Sequence, residues 1–124
     1  MFILLSAFLF SGCAALNNAG NTYRKISMDE AVVMMKTETD YIILDVRTSE
    51  EFAQGHIPNA INIPNETIGT AEIPELPNKK QRILVYCRSG RRSKQAAEKL
   101  VALGYTDIVE FGGINDWTGE TVSG

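Results

Sequence analysis

The sequence predicts a three-layer α/β/α domain on a mostly parallel sheet. Two β-prone runs, Tyr41–Val46 and Arg82–Tyr86, have the continuous apolar character of strands covered on both faces. Helix signals alternate with these runs along the chain, and a strand-helix-strand order closes most simply into a parallel sheet between helical layers. The chain has 124 residues, enough for one ordinary core and no second domain.

Taken in order, Ser27-Met28-Asp29-Glu30 reads as a capping box that opens a helix near residues 28–36, with Met28, Ala31, Val32 and Met35 on one face. The strand at Tyr41–Val46 follows. Thr48-Ser49-Glu50-Glu51 is a second capping box, starting a short helix to about Ala53. Ile61-Asn62-Ile63 is a short strand stopped by Pro64, and Pro74 and Pro77 argue against a long helix in residues 65–80. After the strand Arg82–Tyr86, a helix is expected over Ser93–Leu103 with Ala96, Ala97, Leu100, Val101 and Leu103 inward and Gly104 as its stop. Ile108-Val109-Glu110-Phe111 forms the last strand, and Gly112-Gly113 turns the chain toward Trp117.

The N-terminal stretch is of a different kind. Residues 2–10 are nearly all apolar, and no charge precedes Arg24. The run is too short to span a bilayer as a mature helix but fits the apolar part of an export signal. Ser11-Gly12-Cys13 after it resembles the lipobox of bacterial lipoproteins, although Phe10 stands where Leu is usual. The resemblance implies that Cys13 is lipidated and that residues 1–13 are a signal. Residues 14–23 then form a tether and residues 24–124 the folded domain. The expected location is the bacterial cell envelope, with the lipid as the only membrane attachment.

A net charge of −3 gives no global reason to expect nucleic acid as a partner. Basic character is local, concentrated from Arg88 to Lys94 beside one of only two cysteines. With Cys13 consumed by lipid, Cys87 has no disulfide partner in the chain. An unpaired cysteine in an oxidising compartment points to a reactive role.

Cys87 falls at the carboxyl end of a strand, the edge of an open α/β sheet where ligands bind. The loop Cys87-Arg88-Ser89-Gly90-Arg91-Arg92-Ser93 then leads into the helix. If that loop curls around the sulfur, backbone N–H groups, the helix start and three arginines all favour thiolate over thiol. Such surroundings lower a cysteine pKa from about 8.5 to between roughly 3.5 and 7.5. They also suit an anionic substrate. This chemistry alone fits both sulfur transfer and phosphate-ester hydrolysis. No grouping of His, Cys and carboxylates has metal-ligand spacing, so neither a metal nor another cofactor is expected.

Three linked motifs narrow the choice. Asp45-Val46-Arg47 with Glu51-Phe52, followed by Gly55-His56-Ile57-Pro58-Asn59-Ala60-Ile61-Asn62-Ile63-Pro64, resembles the first signature of rhodanese-like domains. The loop beginning at Cys87 resembles their active-site loop, and Gly112-Gly113 before Trp117 resembles their C-terminal signature. The likeness covers approximately residues 24–118. Asn59 replaces the usual Gly, and Asn tolerates the left-handed conformation next best.

The resemblance implies that Cys87 is the sulfur-carrying nucleophile and that Arg88, Ser89, Gly90, Arg91, Arg92 and Ser93 bind the substrate and cradle its sulfur. Asp45 and Arg47 brace the site, with Glu51 the expected partner of Arg47. His56, the only histidine, is expected in a structural hydrogen bond, and Trp117 in packing. Of the arginines, Arg88 and Arg91 are expected to supply most of the field, with Arg92 turned toward the following helix. A phosphatase of this kind needs Arg six positions after the cysteine, where this chain has Ser93. The expected donor is a small thiosulfate-like anion and the acceptor a thiol, cyanide or a protein; the alternative is a persulfide carrier or binding module for a protein partner.

Overall fold

Among the described residues the sheet has five parallel strands, in the spatial order Arg24–Lys25, Ile108–Gly113, Arg82–Cys87, Tyr41–Asp45 and Ile61–Asn62. The computed structural model describes residues 22–124, so the expectations for residues 1–13, including lipidation of Cys13, and for most of the tether lie outside the described residues. In chain order the elements are β1 (Arg24–Lys25), α1 (Met28–Thr37), β2 (Tyr41–Asp45), α2 (Ser49–Gln54), β3 (Ile61–Asn62), β4 (Arg82–Cys87), α3 (Arg91–Ala102) and β5 (Ile108–Gly113). Single 3-10 turns lie at Asn65–Thr67 and Ile114–Asp116.

Strand alternation divides the apolar interior into two clusters, one on each face of the sheet. Ile83, Val85 and Cys87 of β4 join Leu44 and Ile108 against Ala96, Ala97 and Leu100 of α3. Leu84 and Tyr86 point the other way, joining Ile43, Val109 and Phe111 against Ala31 and the methionines of α1. Cys87 therefore belongs to the α3 face. So does Glu110, two residues after Ile108 on β5, and it is fully buried.

Both capping boxes form. Ser27 and Glu30 exchange hydrogen bonds at the start of α1, as Thr48 and Glu51 do at the start of α2. Asn59 has φ 72°, so this residue takes the left-handed turn expected of it.

Two features depart from the sequence expectation. β1 is two charged residues, Arg24 and Lys25, paired with Val109 and Glu110, an edge strand without an apolar pattern. α3 begins at Arg91 rather than Ser93, because Gly90 adopts φ 109° and ends the loop there. The loop proper is Arg88-Ser89-Gly90, and Ser93 sits inside the first turn of the helix.

Candidate active site

Parallel pairing puts the ends of β2, β4 and β5 along one edge of the sheet, and Cys87 is the last residue of β4. The pairing of β4 with β5 slips there: Val85 faces Glu110 but Cys87 faces Gly113, so β5 carries one more residue than β4 across the interval. Gly112, at φ 99°, takes up the slip. The bulge brings Gly113 so close to the loop that a Cβ on it would lie 1.9 Å from the Arg88 carbonyl oxygen. That carbonyl accepts from Asn115 N–H at 3.1 Å. The paired glycines thus form the floor on which the cysteine loop rests.

The loop folds back over the sulfur. Gly90 N–H donates to Cys87 Sγ at 3.0 Å, and Ser93 Oγ lies 3.5 Å from the same sulfur. Cys87 is 1% exposed. Burial pushes its pKa up, but the Ser93 hydroxyl and the backbone N–H groups of Ser93, Gly90 and Ser89 more than offset this, leaving the thiol below its ordinary value. The sequence anticipated this cradle in kind, with its donors running from Ser89 to Ser93.

The arginines are arranged differently from expectation. Arg92 is turned toward α2, where Nη1 and Nη2 donate to the two Glu51 oxygens at 2.8 and 3.2 Å. Arg88 Nε donates to the same carboxylate at 3.3 Å. Glu51 raises the Arg92 pKa above its usual value, burial opposes this, and the charge of Cys87 adds to the upward shift. Arg92 is half-buried in its pair with Glu51, while Arg91 is exposed. The sequence assigned most of the field to Arg88 and Arg91, with Arg92 toward the following helix; the structure ties Arg88 and Arg92 to a shared counter-ion, Glu51 of the preceding helix. Glu51 was the expected partner of Arg47, but β2 ends at Asp45 and Thr48 caps a new helix between the two residues.

Arg47 pairs instead with Asp45. Its Nη2 is 2.7 Å from Asp45 Oδ2, Nε lies 3.1 Å from both carboxylate oxygens, and Nη2 also donates to the Gly55 carbonyl at 2.6 Å. Both side chains are buried. The Arg47 guanidinium stands 5.9 Å from the centre of the Tyr86 ring, and Tyr86 immediately precedes Cys87. The pair lies at the carboxyl end of β2, beside the strand position that precedes the cysteine. His56 Nδ1 contacts the Phe52 carbonyl at 2.8 Å and its ring stacks on Phe52, a structural placement. Trp117 packs against the α1-side core and donates Nε1–H to the Glu120 carbonyl.

Sequence reasoning missed Glu110. It lies next to the site on the α3 face, with Oε2 accepting from Ser93 Oγ at 2.6 Å and Gly112 N–H at 2.8 Å, and Oε1 accepting from Lys25 Nζ at 3.3 Å. A signal was available: an acidic residue at an inward position of a buried strand needs partners.

The arrangement is a polarised, hydrogen-bonded thiol held between backbone donors at the carboxyl edge of a parallel sheet. Comparison with known proteins agrees with it. The sequence profile of the rhodanese-like domain matches residues 27–120. The thiosulfate sulfurtransferase PspE of Escherichia coli is 40% identical over 73 residues, covering 59% of this chain and 70% of that protein. The putative sulfur carrier protein YrkF of Bacillus subtilis is 32% identical over 121 residues, covering 95% of this chain and 63% of that protein. Among solved structures, a rhodanese with anions from E. coli superposes with a TM-score of 0.62 at 37% identity, covering 68% of this chain and 99% of that one. The chain therefore belongs to the rhodanese-like domain family.

Proposed function

We propose that this chain is a rhodanese-type sulfurtransferase that carries sulfane sulfur on Cys87 as a persulfide. The donor is thiosulfate or a similar small anion, and the acceptor is a thiol or cyanide. The observation that carries this reading is the Gly90 N–H on Cys87 Sγ at 3.0 Å, within a set of donors that lowers the thiol pKa. A plain structural thiol has no such need. Family membership and a relative named thiosulfate sulfurtransferase support the same chemistry.

In the first step the Cys87 thiolate attacks the outer sulfur of thiosulfate. A bond forms from Sγ to that sulfur, the donor's own S–S bond breaks, and its electron pair leaves with sulfite. The product is a persulfide whose charge rests on the outer sulfur. An acceptor nucleophile then removes that sulfur and regenerates the thiolate. No general base is required once the thiol is ionised, consistent with the structural role of His56.

The test is the mass of purified protein before and after thiosulfate. Wild type gains one sulfur atom, cyanide or a thiol removes it, and Cys87→Ser gains none. A folded wild type that gains no sulfur from any sulfane donor overturns the reading. The resemblance to YrkF favours a second acceptor class, a protein thiol, which transfer of labelled sulfur to a candidate carrier would detect.

For location, we propose export and lipidation at Cys13, which gives the domain its only membrane attachment. Among the described residues, no helix is long and apolar enough to cross a membrane. Stable anchoring needs more than one acyl chain, as lipoprotein processing supplies. Cys13→Ser is expected to leave the precursor unprocessed or move the protein out of the membrane fraction. A wild type that remains in the cytoplasm with residues 1–13 attached refutes the proposal.

A further inference from the structure

The Ser93 hydroxyl is surrounded by more acceptors than it can serve. Glu110 Oε2 lies 2.6 Å away, the Gly90 carbonyl 3.0 Å, the Gly112 carbonyl 3.4 Å and Cys87 Sγ 3.5 Å. A serine has one proton to donate. Its shortest contact is to Glu110, a carboxylate that no part of the sulfur-transfer mechanism uses. While the proton lies on Glu110, Ser93 can only accept from a Cys87 thiol and gives nothing to a thiolate.

Sulfur transfer changes what Cys87 asks of that proton. In the thiolate, the negative charge lies on Sγ, within reach of Ser93. In the persulfide, Sγ is a neutral divalent sulfur and the charge has moved one bond outward, away from Ser93. We propose that Glu110 is a positioning residue that competes with Cys87 for the Ser93 proton. It releases the proton to Sγ in the thiolate and takes it back when the sulfur is loaded. This rests on the sulfur-transfer reading and adds to it a built-in bias toward the loaded state. The thiolate must share a donor that the persulfide does not need.

The groups that face this contest are few. From β1, Lys25 Nζ reaches Glu110 Oε1, with its side chain 58% exposed. From β5, Gly112 N–H holds Oε2. From α3 come Ser93 itself and Arg92, which is coupled to the charge of Cys87 and tied to Glu51 of α2. Gly112 and Lys25 keep Glu110 partnered after the hydroxyl has turned away, so the exchange leaves no buried carboxylate stranded.

Glu110→Gln puts a neutral amide oxygen where Oε2 accepts from both Gly112 N–H and Ser93 Oγ, so an acceptor for Gly112 remains while the pull on the Ser93 proton weakens. The thiolate is then stabilised against both the thiol and the persulfide. Two readings should therefore move together. The Cys87 pKa, from the pH dependence of iodoacetamide alkylation, should fall by about one unit. The ratio of loaded to unloaded protein at a fixed thiosulfate to sulfite ratio should fall by about the same tenfold factor. In a Ser93→Ala background the Glu110→Gln shift should shrink by at least half. A folded Glu110→Gln protein with unchanged or raised pKa overturns the proposal, as does an undiminished shift without Ser93. Should Glu110→Gln fail to fold, wild type supplies the test. The ¹³C shift of the Glu110 side-chain carboxyl should step at the pH where Cys87 ionises, and the step should vanish in Cys87→Ser. Absence of the step in wild type overturns the coupling. The alkylation and carboxyl readings need no sulfur donor, so a wild type that never loads would refute sulfur transfer while leaving these readings to decide the coupling.

Discussion

Glu51 Oε1 accepts from Arg92 Nη1 at 2.8 Å, which makes a residue of α2 the counter-ion of the first turn of α3. The same carboxylate holds Arg88 and completes the capping box with Thr48. Arg92 is the largest influence holding the Glu51 carboxyl far below the usual carboxylate range; burial opposes it and the Thr48 amide and hydroxyl assist. A depressed carboxyl stabilises the fold above its unfolded pKa of about 4.3, and that contribution is lost as the pH falls through the folded value.

Glu51 also cancels charge that an anionic donor would otherwise feel. Glu51→Gln can still form the box but frees the arginines. We expect thiosulfate to load Cys87 several-fold faster, on the order of 1 kcal/mol in the barrier, with a steeper salt dependence. Arg92→Gln should slow loading more than Arg91→Gln, and a neutral polysulfane donor should register both less. Loading rates followed by mass at two salt concentrations decide this. Equal losses for the two arginine variants would show that coupling of Arg92 to the sulfur is not what matters.

Cys87 should titrate below the ordinary thiol value of about 8.5. Iodoacetamide reactivity should persist at neutral pH and decline as the pH drops through the lowered pKa. For an acid depressed in the folded state, the linked stability is absent below the folded pKa and complete above the unfolded one. The melting temperature of wild type should therefore rise relative to Cys87→Ser as the pH climbs between those two values. A constant difference across that window would contradict the hydrogen-bonded thiolate.

Gly113→Ala tests the floor of the loop. Its new methyl would fall 1.9 Å from the Arg88 carbonyl oxygen and 2.5 Å from Ser89 N, both backbone, so the loop must move. We expect a loss of about 1–3 kcal/mol in urea unfolding. Alkylation of Cys87 should also shift toward the ordinary thiol pH profile. Unchanged alkylation would show that the loop tolerates the displacement.

Asp45→Asn leaves the Arg47 guanidinium buried without its counter-charge. Both partners are nearly inaccessible, so the expected cost is about 3–5 kcal/mol in urea unfolding. A loss under about 1 kcal/mol would mean that the pair behaves like a surface bridge.

The parts of this molecule written in local chemistry were legible in the sequence. The runs around Leu44 and Val85 are apolar because two helical layers cover them, and both capping boxes lie within four consecutive residues. The start of α3 was less accessible: Gly90 caps it by backbone conformation, with no side-chain hydrogen bond to announce it. Arg91 and Arg92 consequently read as loop. The partners of Arg47, Arg92 and Glu110 were hidden for another reason. Arg92 reaches 41 residues back to Glu51 and Glu110 meets Ser93 across 17 residues, both by tertiary approach, whereas Arg47 folds back two residues onto the strand it leaves.

The uncapped start of α3 ties the chemistry of the site to the cohesion of the fold. Its N-cap residue, Gly90, spends its own amide hydrogen on the Cys87 sulfur, and no side chain caps the turn that follows. The sulfur also draws on the Ser93 amide, third in the helix, the kind of hydrogen that a serine or aspartate cap accepts elsewhere. In the proposed reaction the charge on this sulfur changes, and with it the strength of the contacts that it makes at the start of α3.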